Sequence, residues 1–439
     1  MISVAEALER ILSYIDVLEP EEKPLLEALG LVLAEDVTSA FDIPPLDNTS
    51  MDGYAVRAED TRGASPESPV ELRVVGEVAA GYVFEGEVIP GTAVRIMTGA
   101  PVPAGADAIV PFEETDEPFE KAPVRTRRLK AAAMVEVFKE AQPGANIRRA
   151  GEDVRRGQTV LRRGTVLRSS EVGVLASVGK ARVKVIRRPV VAVLSTGDEL
   201  VELGQPRPAA KIYDSNAYSV GALVRRYGGI PKLLGIAKDT MEALTAKIHE
   251  GLEGADMIIT SAGVSRGDYD VVKEALAREG EIAFWTAAMK PGKPLAFGCF
   301  YRDGRRIPHI GLPGNPVSSM VSFELFGRPA LLKMMGKTDW HRPLVRAIAQ
   351  EQIVNRNDPR VFYARCIVTE RDGRYYASLT GPQGSGILTS MVSANGLTVI
   401  PPEVDVVEPG EEIDVLMLDW SQGEEWGSRQ REGMEAESR

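Results

Sequence analysis

Residues 256–273 read DMIITSAGVSRGDYDVVK, and this stretch predicts a strand, a loop and a helix. The apolar run at residues 257–259 leads into a small polar loop that contains glycine. Two carboxylates, Asp268 and Asp270, end the loop where a helical spacing begins. Backbone N–H groups in such a loop can hold a phosphate. Taken alone, however, an ordinary turn between strand and helix is the better interpretation.

The surrounding chain repeats the same alternation of strand and helix. Between residues 189 and 337 this alternation predicts a parallel sheet covered on both faces by helices. Ligands bind to such sheets outside the carboxyl ends of the strands. Because polar loops follow the predicted strands, we expect these loops to gather along one edge. The loops lie at residues 195–199, 238–240, 261–270, 289–294 and 312–316.

Length and composition limit the classes of protein that this chain can represent. With 439 residues it is too long for one ordinary core, and it lacks an apolar run that could span a bilayer. No signal-peptide pattern is seen, and the two cysteines are far apart, which favours a reducing cytoplasm. Few cysteines and histidines leave oxygen ligands for any metal, which favours Mg²⁺. A net charge of −11 argues against general nucleic-acid binding.

The pattern of apolar residues and turns changes several times along the chain, which predicts several domains. Short apolar alternations between Gly and Pro turns predict a β domain at residues 49–147, inserted into a discontinuous first domain at 1–48 and 148–188. The α/β domain follows at 189–337, and further strand patterns predict another β domain at 338–420. The polar tail at 421–439 is expected to be disordered.

Charged residues follow several of the predicted strands. Glu199 and Asp239 could each be a solvated acid or a helix cap, and Lys290 and Lys293 could form a plain basic turn. Two ammonium groups on a stiff Pro-Gly loop also suit a phosphate or another oxyanion. Convergence of these loops at one edge favours a binding site. The sequence contains no catalytic triad, P-loop or G-x-G-x-x-G motif.

Seven segments, taken in order, resemble the molybdopterin molybdenumtransferase family, which includes MoeA and the E domain of gephyrin. Any one of them is weak evidence, but the ordered set is specific. The segments are SMDGYA at 50–55, RIMTGA at 95–100, NIR at 146–148 with GED at 151–153, STGDEL at 195–200, GVS at 263–265 with GDYD at 267–270, MKPGKP at 289–294, and LPGNP at 312–316.

The resemblance implies a four-part architecture: an extended N-terminal domain, an inserted β domain, a three-layer α/β molybdopterin-binding domain and a C-terminal β-barrel. It implies a homodimer whose site lies between the α/β domain of one chain and the β domain of the other. The implied reaction joins molybdate to adenylylated molybdopterin, cleaves its pyrophosphate bond with Mg²⁺, and releases AMP and molybdenum cofactor. The pterin's dithiolene sulfurs would ligate the molybdenum.

The resemblance also implies roles for individual residues. Glu199, Asp239 and Asp270 would bind Mg²⁺ or orient water and substrate, while Lys290 and Lys293 would hold phosphate or molybdate. The resemblance implies that another chain or domain contributes three catalytic residues, Asp52, Thr98 and Asp153. The local sequence alone predicts only that these are turn residues. The implied substrate-binding positions are Ser195, Thr196, Gly197, Ser261, Gly263, Ser265, Pro313, Gly314, Asn315, Pro316 and Ser385.

Two positions depart from the family pattern, and three alternatives stay open. Ala262 replaces a glycine found in many relatives, and Thr286 replaces a lysine found in some, for which Arg266 is a candidate replacement charge. One alternative is a molybdopterin adenylyltransferase, whose domain resembles residues 189–336. The second is a non-catalytic scaffold that binds a partner peptide. The third is a homologue that inserts tungstate in place of molybdate.

Overall fold

The structure, a computed structural model, describes residues 1–117, 134–262 and 280–419, the side chains of 280–285 excepted. The chain divides into two compact units. The first unit comprises Met1–Lys23, Glu27–Ala34 and Lys184–Arg439, and the second comprises Pro24–Leu26 and Glu35–Val183. Predictions for the tail and for the loop and helix start that follow Ala262 lie outside the described residues, and the residues concerned are Gly263, Ser265, Arg266, Asp268 and Asp270.

A six-stranded sheet forms the centre of the first unit. Its strand order is β2-β1-β3-β6-β5-β4. Strands β1, β2, β3 and β6 run parallel to one another. The strands are β1 (Val190–Thr196), β2 (Ile230–Ala237), β3 (Met257–Ser261), β4 (Gly280–Thr286), β5 (Pro294–Arg302) and β6 (Arg305–Leu312).

Helices cover both faces of this sheet, as the alternating pattern predicts. Along β1, Val191 and Val193 join one hydrophobic cluster, whereas Ala192 and Leu194 join another. Alternate residues of a strand point to opposite faces, so both faces of β1 are buried. The helices are α1 (Asn216–Arg226), α2 (Met241–Leu252) and α3 (Pro316–Ser322), which continues through a π-helical turn (Phe323–Gly327) into α4 (Arg328–Met334).

The prediction of a parallel sheet is wrong for β5, which runs opposite to the other five strands. Both pairs in which β5 takes part, β4–β5 and β5–β6, are antiparallel. A two-residue turn, Asp303-Gly304, joins β5 to β6, and both of its residues have positive φ, at 51° and 75°. Asp-Gly is a sequence that favours this tight hairpin turn. Since β5 runs the opposite way, its amino end lies at the same edge as the carboxyl ends of β1, β3 and β6.

The first unit also contains a closed five-stranded barrel, which confirms the implied C-terminal barrel. Its strand order is β7-β9-β8-β10-β11. Beside the barrel, the short strand Met289–Lys290 pairs in parallel with Val361–Phe362. The barrel strands are β7 (Leu344–Ala349), β8 (Arg365–Arg371), β9 (Arg374–Leu379), β10 (Gly396–Val399) and β11 (Glu412–Met417).

The second unit contains the β domain that the sequence predicts after residue 49. Its five-stranded sheet has the strands, in spatial order, Ala108–Pro111, Gly53–Val56, Thr92–Ile96, Val70–Val78 and Met134–Val137. A helix, Ser169–Ser177, follows later in this unit. The domain boundaries proposed from the sequence stay predictions.

The remaining elements are short. In the described part of the chain no helix is long and apolar enough to cross a membrane. The other helices are Val4–Ser13, Thr389–Ser393 and the 3₁₀ turns Leu25–Ala28, Ala58–Thr61 and Phe112–Glu114. The other strands are Pro20–Pro24, Val37–Thr38, Asn48–Thr49, Ile147–Arg148, Thr159–Leu161, Arg182–Ile186, Leu200–Val201, Ile212–Tyr213, Ile353–Val354 and Val406–Val407.

Candidate functional site

A cavity of about 580 Å³ lies at the edge where β1, β3 and β6 end. Loops that follow these strands form its wall together with the amino end of β5, so the expected gathering of loops is present. The lining residues are Thr196, Glu199, Leu200, Ile212, Tyr213, Asp214, Ser215, Asn216, Ser261, Ala262, Pro294, Pro313, Gly314, Asn315, Pro316, Ser318 and Gly386. We call this space the edge cavity.

Asn216, at the start of α1, connects two walls of the edge cavity. Its Nδ2 donates hydrogen bonds to the Ser261 Oγ at 2.6 Å and to the Gly314 carbonyl at 2.7 Å. The side chain is almost fully buried, at 8% exposure. Asn216 therefore fixes the end of β3 against the loop that follows β6. Asn216 is not among the site residues that the sequence predicts.

Carboxylates approach the edge cavity from two loops. Glu199 is exposed and lines it, and Asp214 lines it while its Oδ1 accepts a hydrogen bond from the Ala217 N–H at 3.1 Å. Asp239 is not part of the lining, and its carboxylate accepts a hydrogen bond from the Asp198 N–H at 3.3 Å. Among the described residues, no three acidic, histidine or cysteine side chains group together as a metal site.

A smaller, positively charged cavity of about 290 Å³ adjoins the edge cavity and shares Pro294 and Ser318 with it. Three cationic side chains line it, and the backbone of the loop before β5 forms one wall. Its lining residues are Lys290, Pro291, Gly292, Lys293, Pro294, Ser318, Arg360, Phe362, Gln383 and Ser385. We call this space the cationic cavity.

Gly292 gives the loop between the two lysines its shape. Its φ is +104°, a region that side chains rarely adopt. A Cβ at this position would lie 2.6 Å from the Ser322 Oγ. Glycine is thus required here for two reasons, and it keeps Lys290 and Lys293 on the wall of the cationic cavity.

The barrel supplies the third cation, Arg360, because Met289–Lys290 pairs with the neighbouring strand Val361–Phe362. Arg360 donates two hydrogen bonds to Asp358, at 2.6 and 2.5 Å, and they hold the pKa of this carboxyl below its usual range. The Lys290 Nζ lies 3.5 Å from Asp358 and 4.6 Å from the centre of the Phe362 ring. One carboxylate thus faces two of the three cations.

Lys293 is the remaining cationic side chain on the wall of this cavity. Within the residues that the structure describes, Lys293 forms no ion pair, and its side chain is partly exposed. No ion pair with a described residue has to break before its ammonium group donates to a bound anion. An oxyanion is the ligand that such a set of cations favours.

Most residues predicted for the site meet at these two cavities. Ser195 and Gly197 are buried and belong to neither lining, and Thr286, which replaces a lysine of some relatives, also lies outside both. The predicted residues that line the edge cavity are Thr196, Glu199, Ser261, Pro313, Gly314, Asn315 and Pro316. Those that line the cationic cavity are Lys290, Lys293 and Ser385.

Asp52, Thr98 and Asp153 lie in the second unit. Thr98 donates two hydrogen bonds to the Asp52 Oδ1, from its hydroxyl at 2.7 Å and from its backbone N–H at 2.6 Å. These bonds hold the pKa of Asp52 below its usual range. Asp153 is exposed, and its backbone N–H donates to the Ile43 carbonyl at 3.0 Å. Asp52 and Thr98 thus form one polar pair.

Ala262, the residue that departs from the family pattern, has a strained backbone. Its φ is +73°, which favours glycine over residues with a Cβ. It lines the edge cavity beside Gly314, where an added Cβ would lie 3.2 Å from the Ala262 methyl group. Ala262 thus holds, at the wall of the edge cavity, a conformation that glycine would adopt at lower cost.

Comparison with known proteins identifies the family. The protein named molybdopterin molybdenumtransferase 2 of Mycobacterium tuberculosis (strain ATCC 25618 / H37Rv) is 39% identical over 424 residues, which cover 95% of this chain and 100% of that protein. This chain belongs to the molybdopterin molybdenumtransferase family. A second member, from Bacillus subtilis (strain 168), is 33% identical over 426 residues, covering 97% of this chain and 96% of the relative.

Domain families and solved structures agree with this membership of the molybdenumtransferase family. Residues 2–179 match the MoeA N-terminal region (domain I and II), residues 192–333 match a probable molybdopterin binding domain, and residues 347–418 match the MoeA C-terminal region (domain IV). A solved structure of the molybdopterin biosynthesis MoeA protein from Pyrococcus horikoshii OT3 has a TM-score of 0.75 at 31% identity. It covers 95% of this chain and 100% of its own.

Proposed function

We propose that this protein inserts molybdate into adenylylated molybdopterin, with release of AMP, and so forms molybdenum cofactor. The observation that carries the proposal is the pair of adjoining cavities, one lined by polar strand-end loops and the other by three cations. Such a pair suits a nucleotide-linked substrate beside an oxyanion. Full-length relatives that are named molybdopterin molybdenumtransferase support the same activity.

In this proposal the cationic cavity takes the oxyanion. Lys290, Lys293 and Arg360 would donate hydrogen bonds to it, and their charges would offset its negative charge. Charge-assisted hydrogen bonds are roughly twice as strong as neutral ones. Ser385 would add a hydroxyl from the barrel side. Tungstate has the same shape and charge as molybdate. The assay below therefore measures the reaction with each of the two oxyanions.

The edge cavity would take the pterin nucleotide. Its volume, about 580 Å³, lies within the range of small-molecule sites. Hydroxyl groups of Thr196 and Ser261 and the stiff loop of Pro313 and Gly314 would position the pterin and its phosphates. Water would attack phosphorus, the pyrophosphate P–O bond would break, and AMP would leave. Positive charge from the adjoining cavity would stabilise the charge that develops on the phosphate oxygens.

We include Mg²⁺ in the proposal, held by Glu199, Asp239 and Asp270, the last of which lies outside the described residues. The chemistry of the donor set fits, because Mg²⁺ prefers carboxylate oxygens and usually needs only one or two of them beside water and substrate phosphates. When bound, Mg²⁺ would neutralise charge on the phosphates. Asp214 is a further carboxylate on the wall of the edge cavity.

We further propose a cytoplasmic homodimer. Asp52, Thr98 and Asp153 belong to the second unit, and in the proposal the partner chain brings Asp52 and Thr98 to the site. The two thiols, Cys299 and Cys366, are buried in different hydrophobic clusters, which suits a reducing compartment.

The test measures AMP release from adenylylated molybdopterin, with Mg²⁺ and either molybdate or tungstate. We expect the wild type to release AMP, and we expect Glu199→Gln and Asp239→Ala to slow release by about tenfold to a hundredfold. Asp303→Asn, in the exposed hairpin turn, is the matched control for loss of one carboxylate and should leave release unchanged.

Three results would contradict the proposal. ATP consumption with molybdopterin, and no AMP release, would identify an adenylyltransferase. Peptide binding with no affinity for any molybdopterin species would identify a scaffold. Equal AMP release by Asp239→Ala and the wild type would remove Asp239 from the proposed machinery.

A further inference from the structure

Arg365, the first residue of β8, is fully buried beside the loop that carries Ser385. Its Nε donates a hydrogen bond to the Ser390 Oγ at 3.0 Å. Its Nη1 donates to the Gln383 carbonyl at 3.2 Å, and its Nη2 donates to the Gly384 carbonyl at 3.0 Å. A further Nη2 contact reaches the Pro382 carbonyl at 3.5 Å. In the described chain no carboxylate forms an ion pair with Arg365.

This arrangement carries a large desolvation cost. Burial lowers the pKa of Arg365, but an arginine side chain stays charged in proteins. A buried cation without an anionic partner must therefore be stabilised by dipoles, and here three consecutive carbonyl groups supply them. The guanidinium in turn fixes the orientation of those three peptide groups.

The fixed orientation has a consequence on the other side of the loop. In a trans peptide the N–H points opposite to the C=O of the preceding residue. Because the carbonyl groups of residues 382–384 face Arg365, the N–H groups of Gln383, Gly384 and Ser385 point away from it. None of these three N–H groups donates a hydrogen bond to a described residue. Gln383 and Ser385 line the cationic cavity, whereas Gly384 and Arg365 do not.

Further contacts hold the loop in this position. The Gln383 amide group pairs with the backbone of Arg365, accepting from its N–H at 2.8 Å and donating to its carbonyl at 3.2 Å. The Val317 N–H, in α3, donates to the Ser385 carbonyl at 3.1 Å. The loop is thus attached to the barrel on one side and to the α/β domain on the other.

We infer that Arg365 is a positioning residue that aims the backbone N–H groups of Gln383 and Ser385 at the oxyanion in the cationic cavity. The inference rests on the proposed function, in which this cavity takes molybdate. Successive backbone N–H groups form a concave site for anions. They add neutral, rigid donors to the flexible lysines, and Arg365 acts on the anion only through them.

The test titrates sodium molybdate into the full chain by calorimetry. We expect Arg365→Lys and Arg365→Gln both to weaken binding by at least about tenfold, because an ammonium group cannot bridge several carbonyls as a planar guanidinium does. Arg346→Gln, which removes an exposed arginine from the same barrel, is the matched control and should bind as the wild type does. Wild-type affinity in Arg365→Lys would overturn the inference, since charge alone would then suffice.

A second measurement uses the wild type and does not depend on how the variants fold. In a ¹⁵N TROSY titration with molybdate, the amide signals of Gln383 and Ser385 should shift and saturate together. Absence of these shifts at saturating molybdate would overturn the inference. Wild type that binds molybdate through these amides but releases no AMP would contradict only the proposed function. AMP release with unaltered binding by Arg365→Lys would contradict only the role of Arg365.

Discussion

Replacing Gly314 with alanine should destabilise the protein through one contact on the wall of the edge cavity. The added Cβ would lie 3.2 Å from the Ala262 Cβ and 3.7 Å from its Cα. Carbon atoms pack best at about 3.5–4.0 Å, so the first distance is too short. Ala262 is held in place, because its N–H donates to the Leu312 carbonyl at 3.1 Å. Overpacking of this kind costs about 1–3 kcal/mol.

The same contact predicts that Ala262→Gly rescues Gly314→Ala. Without the Ala262 methyl group, the nearest remaining atom is the Cα at 3.7 Å, an ordinary contact. Ala262→Gly also relieves a left-handed alanine, worth about 1–2 kcal/mol, against about 0.4–1 kcal/mol of added entropy in the unfolded chain. We therefore expect Ala262→Gly to be neutral or stabilising by up to about 1.6 kcal/mol, with a coupling energy of at least about 1 kcal/mol.

These two substitutions form a double-mutant cycle. We would measure it by urea unfolding, followed by circular dichroism, of the wild type, both single variants and the double variant. Equal slopes against urea in the four proteins would show that the same surface is exposed on unfolding. Additive free energies would refute the proposed contact between Gly314 and Ala262. A loss of about 1 kcal/mol in Ala262→Gly, the usual cost of this substitution in regular structure, would refute the argument from backbone strain.

Three further predictions concern charged groups. Asp256→Asn should lower the free energy of unfolding by about 3–5 kcal/mol, because Asp256 accepts two hydrogen bonds from Arg187 at 2.6 Å. Burial raises the pKa of Asp256, but these bonds outweigh burial and leave it below its usual range. Its stabilisation is therefore complete above about pH 4 and is lost as the pH falls towards the lowered value, which acid unfolding at a series of pH values measures. Unchanged stability in Asp256→Asn would contradict both statements. Lys293→Gln should raise the Kd for molybdate about tenfold and reduce its dependence on salt, and an unaltered salt dependence would place the anion elsewhere. Thr98→Val should raise the pKa of Asp52 towards its usual range, since it removes the hydroxyl donor at 2.7 Å, and a carboxyl titration followed by NMR that shows no change would refute that cause.

The edge cavity could be predicted because its loops follow recognisable strands. The apolar runs of β1 and β3 are short and continuous, which is typical of strands buried on both faces. Parallel strands place the loops after them at one edge, so Thr196 and Ser261 were expected together and are found together. These conclusions need only local pattern and the direction of the strands.

The position of the lysine loop was predicted correctly by an incomplete argument. Lys290 and Lys293 reach the edge because β4 ends there and the antiparallel β5 begins there. A tight Asp303-Gly304 turn is visible in the sequence, and it could have indicated the hairpin.

Other site residues depend on contacts that a local pattern does not encode. Arg360 joins the lysines only because a short strand beside the barrel, Val361–Phe362, pairs with Met289–Lys290. The sequence predicts no site role for Asp214 or Asn216, and Asp214 accepts the Ala217 N–H near the start of α1. The hydrogen bonds of Asn216 to Ser261 and Gly314 appear only when three loops are assembled.

The turn between β5 and β6 lies at the end of the sheet opposite the two cavities. It can therefore be modified without altering the residues that line them. Residues 303 and 304 are exposed and lie at the end opposite the edge cavity, roughly 25 Å away along the eight residues of β6. Exposed loop tips accept insertions better than other parts of a fold. A short affinity tag or a fluorophore attachment site placed at this turn would therefore report on the α/β domain, or immobilise it on a sensor surface, while both cavities stay open to their ligands.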